Sequence, residues 1–173
     1  MIFLTVGTHE PFDRLVRYVD NWCASRSEGP QVLGQITENA GYKPLNFRTV
    51  ATLEPSEYQR AFREADFVVS HAGMGSIITA LSERKRILIL PRRGHLNETR
   101  NDHQFVTMEY FRDKPGIYVA EDEELLLKVL DQLVEGNTVE SGGISPYASQ
   151  ELIDELSAFI DESTPSKSKW KLW

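Results

Sequence analysis

Short runs of apolar residues alternate along this chain with segments whose apolar positions recur at helical spacing. The short runs fall at about residues 2–6, 31–36, 46–51, 66–70, 87–90 and 116–119 and predict strands. Between them, Phe12, Leu15, Val16 and Val19 form one apolar stripe, Tyr58, Phe62 and Ala65 a second, and Ile77, Ile78, Ala80 and Leu81 a third. Further helices fit about 101–112, 121–135 and 148–161. Strand and helix in regular alternation predict an α/β fold, a parallel sheet with helices on its faces. The stretch 136–147, rich in Gly, Ser and Pro, reads as a link to the last helix. One body, 1–162, is therefore expected, followed by a polar, then basic-aromatic tail over 163–173 that ends Lys-Trp-Lys-Leu-Trp. The tail reads as a frayed terminus or as a docking segment for an interface.

At 173 residues the chain suits one domain with a core of its own. Its single cysteine, Cys23, excludes a disulfide framework and a cysteine-based metal site within one chain, and fits a reducing cytosolic setting. Met1 leads straight into an apolar strand without a basic leader, so secretion is not expected. The Asn97-Glu98-Thr99 sequon then carries no meaning. No run approaches the ~20 apolar residues of a membrane span, which leaves peripheral contact or a partner as the route to a membrane. A net charge of −7 argues against general nucleic-acid binding. Against that acidic background Arg92, Arg93 and Arg100 cluster around His95.

Ligands of open α/β sheets bind beyond the carboxyl ends of the strands. Three turns there have unusual composition. Gly7-Thr8-His9-Glu10-Pro11 follows the first strand, and Ser70-His71-Ala72-Gly73-Met74-Gly75-Ser76 follows the fourth. Pro91 to His103 follows the fifth. Gly73 and Gly75 allow close backbone approach, and Ser76 opens a helix whose free N–H groups favour an anion, which describes a diphosphate site. By itself the pattern describes a tight turn equally well, and it matches neither the Walker nor the dinucleotide motif. Gly7 and Thr8 add a second small polar turn. Asn101, Asp102, His103 and Gln104 place four hydrogen-bonding side chains in succession, although Asn101 alone would serve as an ordinary helix cap. Asp102 and Gln104 are candidates for sugar hydroxyls.

Three stretches taken in order, Met-Ile-Phe-Leu-Thr-Val-Gly-Thr-His-Glu-Pro-Phe-Asp, Ser-His-Ala-Gly-Met-Gly-Ser-Ile-Ile-Thr-Ala-Leu, and Pro-Arg-Arg with Asn-Asp-His-Gln, resemble the family 28 glycosyltransferase C-terminal domain. The likeness covers about residues 1–160 and is strongest to stand-alone versions, subunits of dolichol-linked N-acetylglucosamine transferases and of bacterial polysaccharide enzymes. It implies a Rossmann-like half of a GT-B enzyme that binds a UDP-sugar, inverts the anomeric carbon and has no obligatory metal or cofactor. By position, Gly7, Thr8, Gly73, Gly75 and Ser76 would line the diphosphate. His71 would approach it, unless it is a satisfied histidine at the sheet edge. Asp102 and Gln104 fall near the pair that contacts the donor sugar in relatives. Many relatives bind the ribose through an acidic residue after the glycine turn, where this chain has Thr79 and Ala80; Glu98 or Asp102 would have to replace it. Uracil would sit near Thr52 and Leu53.

The leading expectation is a donor-binding catalytic subunit that transfers a sugar to a lipid-linked acceptor in glycan or polysaccharide synthesis. Its partner would be a membrane-anchored, Rossmann-like acceptor-binding subunit that holds it at the cytoplasmic membrane face. Arg92 and Arg93 would stabilise the departing diphosphate, meet acceptor phosphates or a partner, or form a solvated pair. His9 is the candidate base by residue type, and suits ligand binding as well. The rival expectations are a non-catalytic nucleotide-sugar-binding or partner-binding subunit and a nucleotide-sugar epimerase. The chain length weighs against the epimerase, since those enzymes carry both halves in one chain.

Overall fold

The computed structural model describes residues 1–136, 143 and 150–163. Six strands, β1 (Ile2–Thr5), β2 (Val32–Gln35), β3 (Arg48–Val50), β4 (Phe67–His71), β5 (Arg86–Leu90) and β6 (Ile117–Val119), form one sheet. All pairings are parallel, in the order β3-β2-β1-β4-β5-β6. Parallel strands need crossovers. Helices α1 (Asp13–Ala24), α2 (Pro55–Glu64), α3 (Met74–Ser82), α4 (His103–Phe111) and α5 (Glu123–Val134) provide most of them, and α6 (Gln150–Ser163) follows. This is the Rossmann-like strand order, in which the chain reverses direction across the sheet between β1 and β4.

Alternate residues of each strand face opposite helical layers. Ile2, Leu4, Val69 and Leu88 pack with Leu15, Val19, Leu126 and Leu130 of α1 and α5. Phe3, Val68, Ile87 and Ile89 pack with Phe62, Ile77 and Met108 of α2, α3 and α4. Local signals start the helices. Pro55 stands in the first turn of α2, where Glu54 and Glu57 form a capping box. Asp122 accepts the Leu125 N–H at 2.9 Å to cap α5. Cys23 is half-buried, and burial pushes its thiol up to about 11, with Asp20 adding to the shift. It stays protonated at neutral pH and is a poor nucleophile.

The third strand begins at Arg48 rather than near 46, and a buried carboxylate explains the delay. Asp20 of α1 accepts the main-chain N–H of Leu45 at 3.1 Å and of Asn46 at 2.8 Å, together with the Tyr42 hydroxyl at 2.7 Å. Those N–H groups are therefore taken before the sheet can use them. These bonds hold the Asp20 carboxyl below its usual range against the upward pull of burial, its largest single influence. A depressed carboxyl contributes stability above its unfolded value of about 3.8, lost as pH falls through the lower folded value. Asp20→Ala is expected to cost about 3 kcal/mol, or about 6–12 °C in Tm, by stranding several donors at once. A thermal melt at neutral pH checks this.

The fourth helix starts two residues later than expected, with Asp102 rather than Asn101 at its N-cap position; Asn101, one residue earlier, accepts the His103 N–H at 3.3 Å. A single 3₁₀ turn at Gly94–Leu96, within the third unusual turn, was not legible as an element. The expected link at 136–147 lies outside the described residues except for Gly136 and Gly143, and so does the tail after Ser163. Among the described residues no helix is long and apolar enough to cross a membrane.

Candidate functional site

The turns after β1 and β4 meet where the strand order reverses. A cleft of about 550 Å³ opens there. Its floor is Val6, Gly7 and His71; its walls are Thr8, His9 and Glu10 on one side and Gly75, Ser76 and Thr79 of α3 on another. Tyr58, Arg92, Thr99, His103 and Gln104 complete the lining. Of the residues singled out in the sequence, Gly7, Thr8, His9, His71, Gly75, Ser76, Arg92 and Gln104 thus share one cleft.

The three glycines serve different purposes. Gly7 adopts φ +88°, a left-handed conformation that side-chain-bearing residues rarely take. A Cβ there would also stand 3.1 Å from the His71 ring. Gly73, with φ −96° and ψ 136°, is conformationally ordinary, but a Cβ would lie 2.2 Å from His71 Nε2. The His71 imidazole therefore occupies the space that Gly7 and Gly73 leave empty. A Cβ on Gly75 would meet nothing within 4 Å, so this glycine alone leaves its space to the cleft. α3 begins at Met74 without a side-chain cap, and its first internal bond is Ile77 N–H to Gly73 O at 3.2 Å. The N–H groups of Met74, Gly75 and Ser76 precede that bond and are left for an outside acceptor at the positive end of the helix.

His71 is mostly buried. Burial, and next the charge of Arg92, push its pKa down to about 4, so the ring is neutral at pH 7. A neutral imidazole offers one donor and one acceptor. Ser70 Oγ lies 3.3 Å from Nδ1. At the mouth, His9 is exposed, with Nδ1 2.8 Å from Thr8 Oγ1.

The arginine cluster differs from its expected form. Arg92 is 3% exposed, and its guanidinium donates to four main-chain carbonyls: Val6 at 2.8 Å, Glu10 at 2.7 Å, Pro11 at 2.6 Å and Glu98 at 3.0 Å. It is neither a solvated residue nor free to grip a phosphate or a partner. Its charge nonetheless borders the cleft. Arg93 turns the other way and donates to the Glu121 carbonyl at 2.8 Å. Glu98 is corrected as a ribose or sugar ligand, because its carboxylate forms a two-point pair with Arg14 at 2.7 and 2.8 Å and accepts the Arg93 N–H at 2.8 Å. All three donors come from the protein itself.

Asp102 does not line the cleft; its Oδ1 accepts the Gly94 N–H at 2.7 Å and folds the segment after β5. Gln104 does line it, buried, with Oε1 accepting the Arg92 N–H at 3.1 Å. That bond leaves the amide –NH₂ as the group for a ligand. Thr52 and Leu53 follow β3 outside the lining, and Leu53 packs toward the core on Phe62 and its neighbours. Thr79 lines the cleft and donates its hydroxyl to the Gly75 carbonyl at 2.8 Å.

Glu10, Tyr58, Thr99 and His103 belong to the cleft but were not among the sequence-derived site residues. Glu10 and His103 stood inside the unusual turns, so their neighbours were the available signal. Tyr58 had none, since it reads as part of an apolar stripe. His103 is the first residue of α4, and its Nδ1 bonds Asn101 Oδ1. An amide oxygen only accepts, so Nδ1 is the donor of that bond.

The geometry has known counterparts. Over 122 residues, 60% of this chain, it is 35% identical to the UDP-N-acetylglucosamine transferase subunit ALG13 of Mus musculus, of which it spans 9%. Among solved structures, MurG of Acinetobacter baumannii superposes with a TM-score of 0.61 over 90% of this chain and 49% of its own, at 15% identity. The solution structure of ALG13 gives 0.57 over 90% of this chain and 93% of its own, at 17% identity. At such identities the superpositions speak for the fold. Residues 1–143, which include every strand and the whole cleft, match the model of the glycosyltransferase family 28 C-terminal domain, and the chain belongs to that family.

Proposed function

We propose that this chain is the donor-binding subunit of an inverting glycosyltransferase, holding a UDP-sugar in the β1/β4 cleft while a second subunit presents the acceptor. The observation that carries the reading is the uncapped start of α3, with Gly75 open to the cleft and the Gly7 turn opposite. In this reading the diphosphate accepts from the free N–H groups of α3. The sugar lies toward Gln104 and His103. Membership of the family and the 35% identity to a UDP-N-acetylglucosamine transferase subunit support UDP as the carrier.

When an acceptor hydroxyl attacks the anomeric carbon, the bond to the UDP oxygen breaks and charge gathers on the leaving diphosphate. Fixed N–H dipoles and the buried Arg92 charge stabilise that charge without a metal ion and without reorganising. The acceptor proton passes to a base, for which His9 is this chain's candidate. Attack also requires the acceptor to be held in line, which takes a second wall. The partner in this reading is Rossmann-like and membrane-anchored, and the acceptor is lipid-linked.

Calorimetry on the isolated chain is expected to show UDP and UDP-sugars binding, and GDP-sugars binding at least tenfold more weakly. A radiolabelled transfer assay on membranes should show activity only after the second subunit is co-expressed. Equal affinity for GDP-sugars overturns the choice of carrier, and transfer to a soluble acceptor by the isolated chain overturns the two-subunit model.

A further inference from the structure

Arg92 is the most heavily bonded side chain in the cleft wall. It stands just after β5, yet three of its four carbonyl partners, Val6, Glu10 and Pro11, belong to the turn after β1. β4 lies between those two strands, so the side chain reaches across the β4 turn that carries His71. Its own N–H holds Gln104 Oε1 at 3.1 Å, and its fourth carbonyl partner is Glu98 in the segment before α4. That segment is in turn anchored to α1 through the Glu98–Arg14 pair. The guanidinium also lies 4.8 Å from the centre of the Phe12 ring, which closes its remaining face.

One residue therefore joins the turn bearing Gly7, Thr8 and His9 to the helix start bearing Gln104. We infer that Arg92 is a positioning residue of the donor site, setting the distance between the wall at the nucleotide end and the wall at the sugar end. It does so through geometry rather than by gripping a ligand, since four carbonyls already take its two terminal nitrogens. A lysine there keeps the charge but offers a point-like ammonium with three donors on one nitrogen, and cannot span four carbonyls as a planar fork does. The inference rests on the donor-site reading for its functional meaning. The linkage itself does not need a ligand.

Two variants, Arg92→Lys and Arg92→Met, test it by two readouts, after melts confirm that both fold. The first readout is ligand-free. Backbone NMR order parameters of Gly7 to Glu10 are expected to fall from the rigid level of about 0.85 to below about 0.6 in both variants, while those of α5 stay unchanged. The second is the gain in affinity that a sugar adds to UDP, taken as the Kd ratio of UDP to UDP-N-acetylglucosamine. That gain is expected to shrink at least tenfold in both variants, while the affinity for UDP itself falls further in Arg92→Met, which also removes the charge bordering the cleft, than in Arg92→Lys.

A turn that stays rigid in Arg92→Met overturns the positioning role whether or not any nucleotide binds. Full recovery of both readouts by Arg92→Lys overturns it too, because charge alone would then suffice. If the wild type binds neither UDP nor its sugar, the donor reading fails. The order parameters still decide the linkage.

Discussion

Gly73→Ala is expected to lower stability by about 1–3 kcal/mol, or about 2–12 °C in Tm, even though the backbone at this position suits any residue. The new methyl would lie 2.2 Å from His71 Nε2 and 3.0 Å from Cε1. The ring must shift away from Gly73, and the spacing it sets between the two turns is lost. The double variant Gly73→Ala/His71→Ala removes the clash and should melt within about 1 kcal/mol of His71→Ala alone, a coupling that a thermal double-mutant cycle reads directly. If Gly73→Ala melts like the wild type, or if the double variant shows no recovery, the glycine is not there for the histidine.

Gly75→Val is expected to behave in the opposite way, keeping the melt and losing the ligand. Nothing lies within 4 Å of the added Cβ, and the residue sits in the first turn of α3 at the cleft surface, so the fold has no reason to object. A β-branched side chain there fills the space that an approaching diphosphate needs. UDP affinity should fall about 100-fold or more, equivalent to about 2.7 kcal/mol, with Tm within a few degrees of the wild type. Calorimetry with UDP and a melt on the same preparation check both halves. Unchanged affinity would show that the turn is only structural, and a reconstituted pair still active with this variant would place the donor elsewhere.

The contrast between these two glycines marks the limit of what the sequence by itself determined. Local chemistry was enough for the alternation of strands and helices, because strand and helix periods and capping residues such as Asp122 act over a few positions. It was enough, too, for pointing to the turns after β1, β4 and β5 that line the cleft, since small residues followed by a helix start are a property of the turn itself. The likeness of three stretches to a known family was legible for the same reason. What the sequence left open was which polar residues are free. Glu98 and Arg92 look like ligands in a polar turn, but their partners are Arg14, 84 positions away, and carbonyls more than 80 positions away in the turn after β1. Such pairings are set by the order of strands, and no spacing along the chain encodes them.

The delayed start of β3 has the same origin, in a carboxylate on α1 that claims N–H groups from another element. So does the separation of Gly73 from Gly75. Both carry no side chain, and in sequence they are equivalent members of one motif. Only the folded chain shows that one makes room for His71 and the other for the cleft, because a glycine's function is the space beside it, and that space is bounded by residues brought together in the tertiary structure.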